Sequence, residues 1–144
     1  MASEDPTRSL AATSDETLGP LLHDFLRAAV AHHADRPALD IPPGRNRPAR
    51  QQLSYAELDA ASDRLAQHLA ALVQGEEIVA IHLPRTSSAL YVAQLAALKA
   101  GAAFTCLDAS FPDERMREIV EDASAVAVLT DQPGIARLAP VCGD

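Results

Sequence analysis

The chain has 144 residues, enough for one domain with a buried core. Its formal charge of −8 argues against nucleic acid as a partner, because phosphate binding needs clustered cations. Apolar residues make up 48% and aromatic ones only 3%, with alanine abundant, which points to closely packed helices rather than an all-β core.

The N-terminal stretch "MASEDPTRSLAATSDET" lacks the apolar run of a signal peptide and reads as a disordered, solvated tail over residues 1–17, ahead of a folded part from 18 to 144. Nowhere do the ~18 consecutive apolar residues of a membrane span occur, so no membrane is expected as a partner. Cys106 and Cys142 show neither metal spacing nor a disulfide framework, and a reducing, cytoplasmic setting is the expectation.

The first element is a helix in "LLHDFLRAAVAHHADRP", with Leu22, Phe25, Leu26, Ala29 and Val30 at helical spacing and Pro37 ending it. "ALDI" and "QQLSY" read as two short strands around the loop "PPGRNRPAR", whose Arg45, Arg47 and Arg50 are expected to be a solvated basic spot. Ser54 and Glu57 then form an S-x-x-E capping box, in which each side chain satisfies a backbone donor of the other residue. Behind it, Leu58, Ala61, Leu65, Leu69 and Leu72 follow one face, predicting a helix over 54–73 that ends before Gly75.

"EIVAIHL" is β-branched and apolar on both faces, as in a strand covered on both sides, and predicts a strand over 77–83. Thr86 or Ser87 is placed to cap a helix over 86–100, whose body "ALYVAQLAALKA" is apolar nearly all round and so belongs between layers. Lys99 in its last turn complements the helix dipole, and Gly101 supplies the left-handed residue that lets the chain reverse into a strand over 102–107. Pro112 opens a helix over 112–122, carrying Met116, Ile119 and Val120 on its apolar face, and "AVAVLT" gives a strand over 125–130. After Asp131, "QPGIARLAPVCGD" reads as a loop with at most a short helix at "IARLA". Strand and helix in alternation imply an α/β fold, a parallel sheet with flanking helices and right-handed crossovers. The helices foreseen are too few to cover both faces of this sheet, so an exposed apolar surface is expected.

Ligands of such sheets bind beyond the C-terminal strand ends, where Pro84-Arg85-Thr86, Asp108-Ala109-Ser110 and Thr130-Asp131 stand. The glycines are too widely spaced to write G-x-G-x-x-G or G-x-x-x-x-G-K-[ST], so no phosphate cradle is visible. His32 and His33, adjacent on a helix, point apart and are poor joint metal ligands, and His82 reads as a packed histidine before it reads as a ligand. Ser87 and Ser88 lie in no nucleophile elbow. Asp108, at a strand exit, is weighed as a cap for the following turn ahead of a catalytic acid. No catalytic, cofactor-binding or metal-binding residue is assigned.

"LSYAELDAASDRLAQHLA" resembles the first core motif of adenylate-forming (AMP-binding) ligases, and "LKAGAAFTCLDASFPDERMREIVEDASAVAVLTD" resembles their second. "LHDFLRAAVAHHADRPAL" is similar to the usual entry into that fold, and "VAIHLPRTSSALYVAQLAALKAG" fits the stretch between the motifs. The likeness covers about residues 20–135, and its wording is closest to the amino-acid adenylation domains of nonribosomal peptide synthetases, with acyl-CoA synthetases a looser match. It implies the N-terminal portion of the large subdomain, an incomplete piece of the family fold, over residues 18–144. It also implies a whole enzyme that converts a carboxylic acid and ATP, with Mg, into an acyl adenylate and pyrophosphate, then passes the acyl group to a carrier-protein thiol. The partners implied are the remainder of the adenylation domain and a carrier protein. The Ser/Thr/Gly-rich phosphate loop, the adenine and aspartate motifs and the late lysine are absent, so the chain is expected to bind no cofactor and to be inactive alone, as a fragment or truncated product. Cys106 stands where the family usually has proline, and Ala109 where proline often follows the aspartate; both make the turn less rigid. The alternative from the residues alone is a self-contained α/β binding module.

Overall fold

The computed structural model describes residues 20–45 and 47–142. The tail expected at 1–17 lies outside the described residues.

Helix α1 (Leu22–His33) leads into a hairpin of β1 (Pro37–Ile41) and β2 (Gln51–Ser54), paired antiparallel with Leu39 opposite Leu53. Helix α2 (Tyr55–Leu69) starts at the foreseen box: Ser54 Oγ accepts the Glu57 amide at 3.2 Å, and a Glu57 carboxylate oxygen accepts the Ser54 amide at 2.8 Å. The helix stops four residues earlier than its apolar period implies. The segment after Leu69 turns tightly, with the Leu72 and Val73 amides both bonded to the Leu69 carbonyl. Val73 is thereby turned inward, and Leu72, expected on the buried face, stays 61% exposed.

Strands β3 (Ile78–His82), β4 (Ala103–Cys106) and β5 (Ala127–Thr130) form one parallel sheet in the order β4-β3-β5. Helices α3 (Ser88–Lys99) and α4 (Asp113–Asp122) are its crossovers. At the end of α3, the Gly101 amide bonds the Leu98 carbonyl and the Ala102 amide that of Ala97, with Gly101 at φ +82°. This double bond pattern needs a left-handed residue, and glycine adopts it without a Cβ clash. α4 ends the same way through Ser124, which holds φ 48° despite its side chain.

The largest departure from the sequence reading is residues 132–142. They form a full helix, α5 (Gln132–Cys142), in place of the expected loop. Pro133 and Gly134 resemble turn punctuation, but proline is tolerated in a helix's first turn. Glycine is demanded there by contact: a Cβ on residue 134 would lie 1.9 Å from Thr130 Oγ1. Asp131 caps the start, its Oδ1 accepting the Gly134 amide at 2.9 Å.

Helix α5 also overturns the expectation of an uncovered sheet face. One core joins Leu69 of α2, Val73 just after it, Ala93, Ala96 and Ala97 of α3, and Val79 and Ile81 of β3. The second joins Ala80 of β3 to Leu107, Met116 of α4, and Leu138 and Val141 of α5. Val79, Ala80 and Ile81 are 0% exposed, so the central strand is covered on both sides. The all-apolar α3 does lie between layers, packed on the sheet and on α2. Part of the expected apolar surface is still exposed: Leu22 and Phe25 on α1, Leu72 after α2, Val126 before β5 and Ile135 on α5, and among the described residues the outer edges of β4 and β5 are unpaired. No helix among the described residues is long and apolar enough to cross a membrane.

Candidate functional site

Parallel register places Ile81 opposite Cys106 and His82 opposite Thr130, so all three strands leave the sheet at one end. Between the loop after β3, the loop after β4 and the first turns of α3 lies a cleft of about 600 Å³. Leu83, Leu90, Tyr91 and Phe111 give it apolar and aromatic walls, and Arg85, Gln94, Cys106 and Asp108 give it polar points.

Asp108 fills the structural role foreseen for it. Its Oδ1 accepts the Ser110 amide at 2.9 Å and the Ser110 hydroxyl at 2.7 Å, closing an Asx turn. Its other oxygen meets Arg85 at 3.0 Å. The Ser110 amide first, then its hydroxyl, with Arg85 adding charge, hold the Asp108 carboxyl below its ordinary value. Arg85 is 86% exposed, so that ion pair is screened and adds little to stability.

Arg137, which no sequence pattern singles out, pins the same loop from α5. Its guanidinium donates to the carbonyls of Ala109 (2.8 Å) and Phe111 (2.7 Å) and to the Asp113 carboxylate (3.0 Å). The turn that Cys106 and Ala109 leave without proline is thus held by Arg137 and Asp108. The Cys106 thiol is exposed, with the Gln94 amide 3.5 Å from its sulfur. Cys142 is likewise a free thiol, and partial burial raises its pKa.

His82 is a packed histidine, as expected, 8% exposed at the end of the central strand. Thr130 Oγ1 donates its single proton to the His82 carbonyl at 3.0 Å, while His82 Nδ1 lies 3.3 Å from that same oxygen. His82 Nε2 is buried without a hydrogen-bond partner among the described residues. His32 and His33 sit with ring centroids 6.3 Å apart on exposed positions of α1. Among the described residues no group of three or more His, Cys, Asp or Glu is placed to hold a metal ion.

Lys99 does more than complement a helix dipole. Its side chain is 2% exposed, and its Nζ reaches Asp59 and Asp63 of α2 at 2.6 Å each and the Asp59 carbonyl at 3.1 Å. The basic loop is also less bland than foreseen. Arg47 donates to the carbonyls of Thr86 and Pro42, tying the hairpin loop to the loop after β3. Arg50 pairs with Asp40, which lowers the carboxyl's pKa, the Arg50 side-chain hydrogen bond being the main cause. Ser87 caps α3, accepting the Ala89 amide at 3.2 Å.

This donor set does not fit a magnesium nucleotide. The cleft lining contains no glycine, Arg85 is already paired with Asp108, and the other polar atoms belong to an amide, a phenol and a thiol.

A family model described as "AMP-binding enzyme" matches residues 26–143, most of the chain and both motifs. The chain belongs to that family. One of the plipastatin synthase proteins of Bacillus subtilis is 36% identical over 140 residues, covering 93% of the chain and 5% of that protein. Phosphinothricin tripeptide synthetase PhsC of Streptomyces viridochromogenes is 39% identical over 119 residues, covering 82% of the chain and 10% of that protein. The chain thus spans a tenth or less of these AMP-binding relatives. Among solved structures, Klebsiella oxytoca NpsA in complex with 3-hydroxyanthranilyl-AMSN gives a TM-score of 0.65 at 26% identity, over 75% of the chain and 21% of NpsA. The N-terminal subdomain of NpsA gives 0.66 at 23% identity, over 86% of the chain and 34% of that structure, a likeness of fold.

Proposed function

We propose that this chain forms the N-terminal part of an amino-acid adenylation domain and acts as a scaffold for chemistry carried elsewhere in the enzyme. In the whole enzyme a carboxylic acid, read here as an amino acid, reacts with ATP and magnesium to give acyl adenylate and pyrophosphate. The acyl group then passes to a carrier-protein thiol in nonribosomal peptide synthesis. The remainder of the domain is the partner, the setting is cytoplasmic, and no residue of this chain is a catalytic residue.

The observation that carries the reading is the 36% identity with the plipastatin synthase protein across 93% of the chain. The test is a graft of residues 20–142 in place of the matching segment of that synthase. The graft should retain amino-acid-dependent ATP–pyrophosphate exchange within about tenfold of the parent, since volume-conserving changes in a scaffold cost little. A folded graft with no exchange would count against the reading. The closure of the second core by Leu138 and Val141 favours one rival, a self-contained module. That rival predicts a folded, inert graft.

A further inference from the structure

A second cleft, of about 500 Å³, lies between the hairpin loop and the start of α3. Arg45, Arg47, Gln51, Thr86 and Ser87 give it its polar lining, and neither aspartate nor glutamate lines it. The chain as a whole is acidic, at −8, and its other arginines mostly meet carboxylates. Arg50 meets Asp40, Arg85 meets Asp108, Arg137 meets Asp113, and Arg115 and Arg117 meet glutamates of α4. Among the described residues, Arg45 and Arg47 have no carboxylate within ion-pair distance.

The Arg47 cation is held in position. Gly44 and Arg47 exchange both backbone hydrogen bonds, at 2.8 and 3.0 Å, which closes the turn between them. The half-buried Arg47 side chain donates to the Pro42 and Thr86 carbonyls, both neutral acceptors. Its Nε is buried with no partner among the described residues. Two like charges facing one cavity repel, and carbonyls offset only part of the hydration a guanidinium gives up. An anion in the cleft relieves both costs.

We propose that this cleft binds a phosphate group, either the free ion or a small phosphomonoester. Two guanidinium groups match the two charges of a phosphate dianion, and their planar forks suit its oxygens. The Gln51 amide and the Thr86 and Ser87 hydroxyls are donors for the remaining oxygens, of which a carboxylate has too few. Ser87 Oγ accepts the Ala89 amide and keeps its own proton to donate. The attraction comes from the arginines, since Ser87 already answers that amide at the start of α3. The inference needs no family reading, because it uses only the charge and geometry of this chain.

A bound phosphate joins the hairpin loop to the loop after β3, so it should stabilise the fold. The melting temperature is followed in sodium phosphate, sodium glycerophosphate and sodium acetate, against sodium chloride of equal ionic strength. The buffer is held at about pH 8, where both phosphates are dianions. Phosphate should raise the melting temperature saturably, by about 2–4 °C at ~10 mM. Arg45→Gln removes an exposed side chain with no carboxylate partner, so it should fold normally and weaken the response ~10-fold. Arg115→Gln, on α4, changes the net charge equally and should leave the response intact. A rise with glycerophosphate as well assigns the site to phosphomonoesters, and a rise with the inorganic ion alone assigns it to free phosphate. No rise with either, an equal rise in acetate, an undiminished rise in Arg45→Gln, or an equal loss in Arg115→Gln overturns the proposal.

Discussion

Two glycines show how differently one residue type is required. Gly101 has open space around its missing Cβ and is fixed by φ +82° alone, so Gly101→Ala should cost about 1 kcal/mol through backbone strain. Gly134 has an ordinary φ but no room, so Gly134→Ala must push Thr130 or α5 away and should cost more, about 2–3 kcal/mol. Urea unfolding of both variants checks the order, and equal losses would contradict it. Asp108 makes a second residue-scale prediction. Its folded pKa lies below the unfolded value of about 3.9, so its contribution is present above that pH and is lost as pH falls toward the lower folded value. Asp108→Asn should therefore flatten the acid side of the melting-temperature profile while leaving its slope near neutrality unchanged. An unchanged acid slope would show that the Ser110 turn does not stabilise the ionised carboxylate.

Between elements, the most buried ion pair among the described residues is that of Lys99, held by two α2 carboxylates. Asp59 and Asp63 side chains keep 22% and 49% exposure, whereas Lys99 keeps 2%, so the two ends of the bridge are unequal. Lys99→Met retains the stem and frees two hydrated carboxylates, a modest loss. Asp59→Ala with Asp63→Ala strands a buried ammonium and should cost about 3–5 kcal/mol. Denaturant titration distinguishes the cases, and a larger loss for Lys99→Met would reverse the assignment. This bridge marks a limit of sequence reading: Lys99 is 40 and 36 residues from Asp59 and Asp63, and each has an adequate local explanation. Local signals were sufficient where the physics is local, in the Ser54–Glu57 box, the Gly101 reversal and the three strands. They failed where tertiary contact overrides a local rule. Pro133 and Gly134 look like loop residues until Thr130 is set beneath them, and Arg137 has no pattern because its partners, two carbonyls and the Asp113 carboxylate, lie on another segment. The cleft was legible in outline from the strand-end rule, but its walls depend on α3 facing the loop after β4.

At the scale of the molecule, α5 decides whether the second core is closed. A chain ending at Asp131 loses Leu138 and Val141 and uncovers Ala80, Leu107 and Met116. It should bind a hydrophobic dye several-fold more strongly than the whole chain and melt with less cooperativity, since exposed apolar clusters and loose packing go together. Unchanged dye binding would mean that α5 is not the cover it looks to be.

The proposed scaffold role places the phosphate chemistry outside the strand-end cleft. The most direct test is acid-dependent ATP–pyrophosphate exchange by the purified chain, with magnesium and a full set of amino acids. No exchange above the buffer background is the expected result. Reproducible exchange that disappears in Asp108→Ala would contradict it, because it would place chemistry at a residue assigned here to holding a turn.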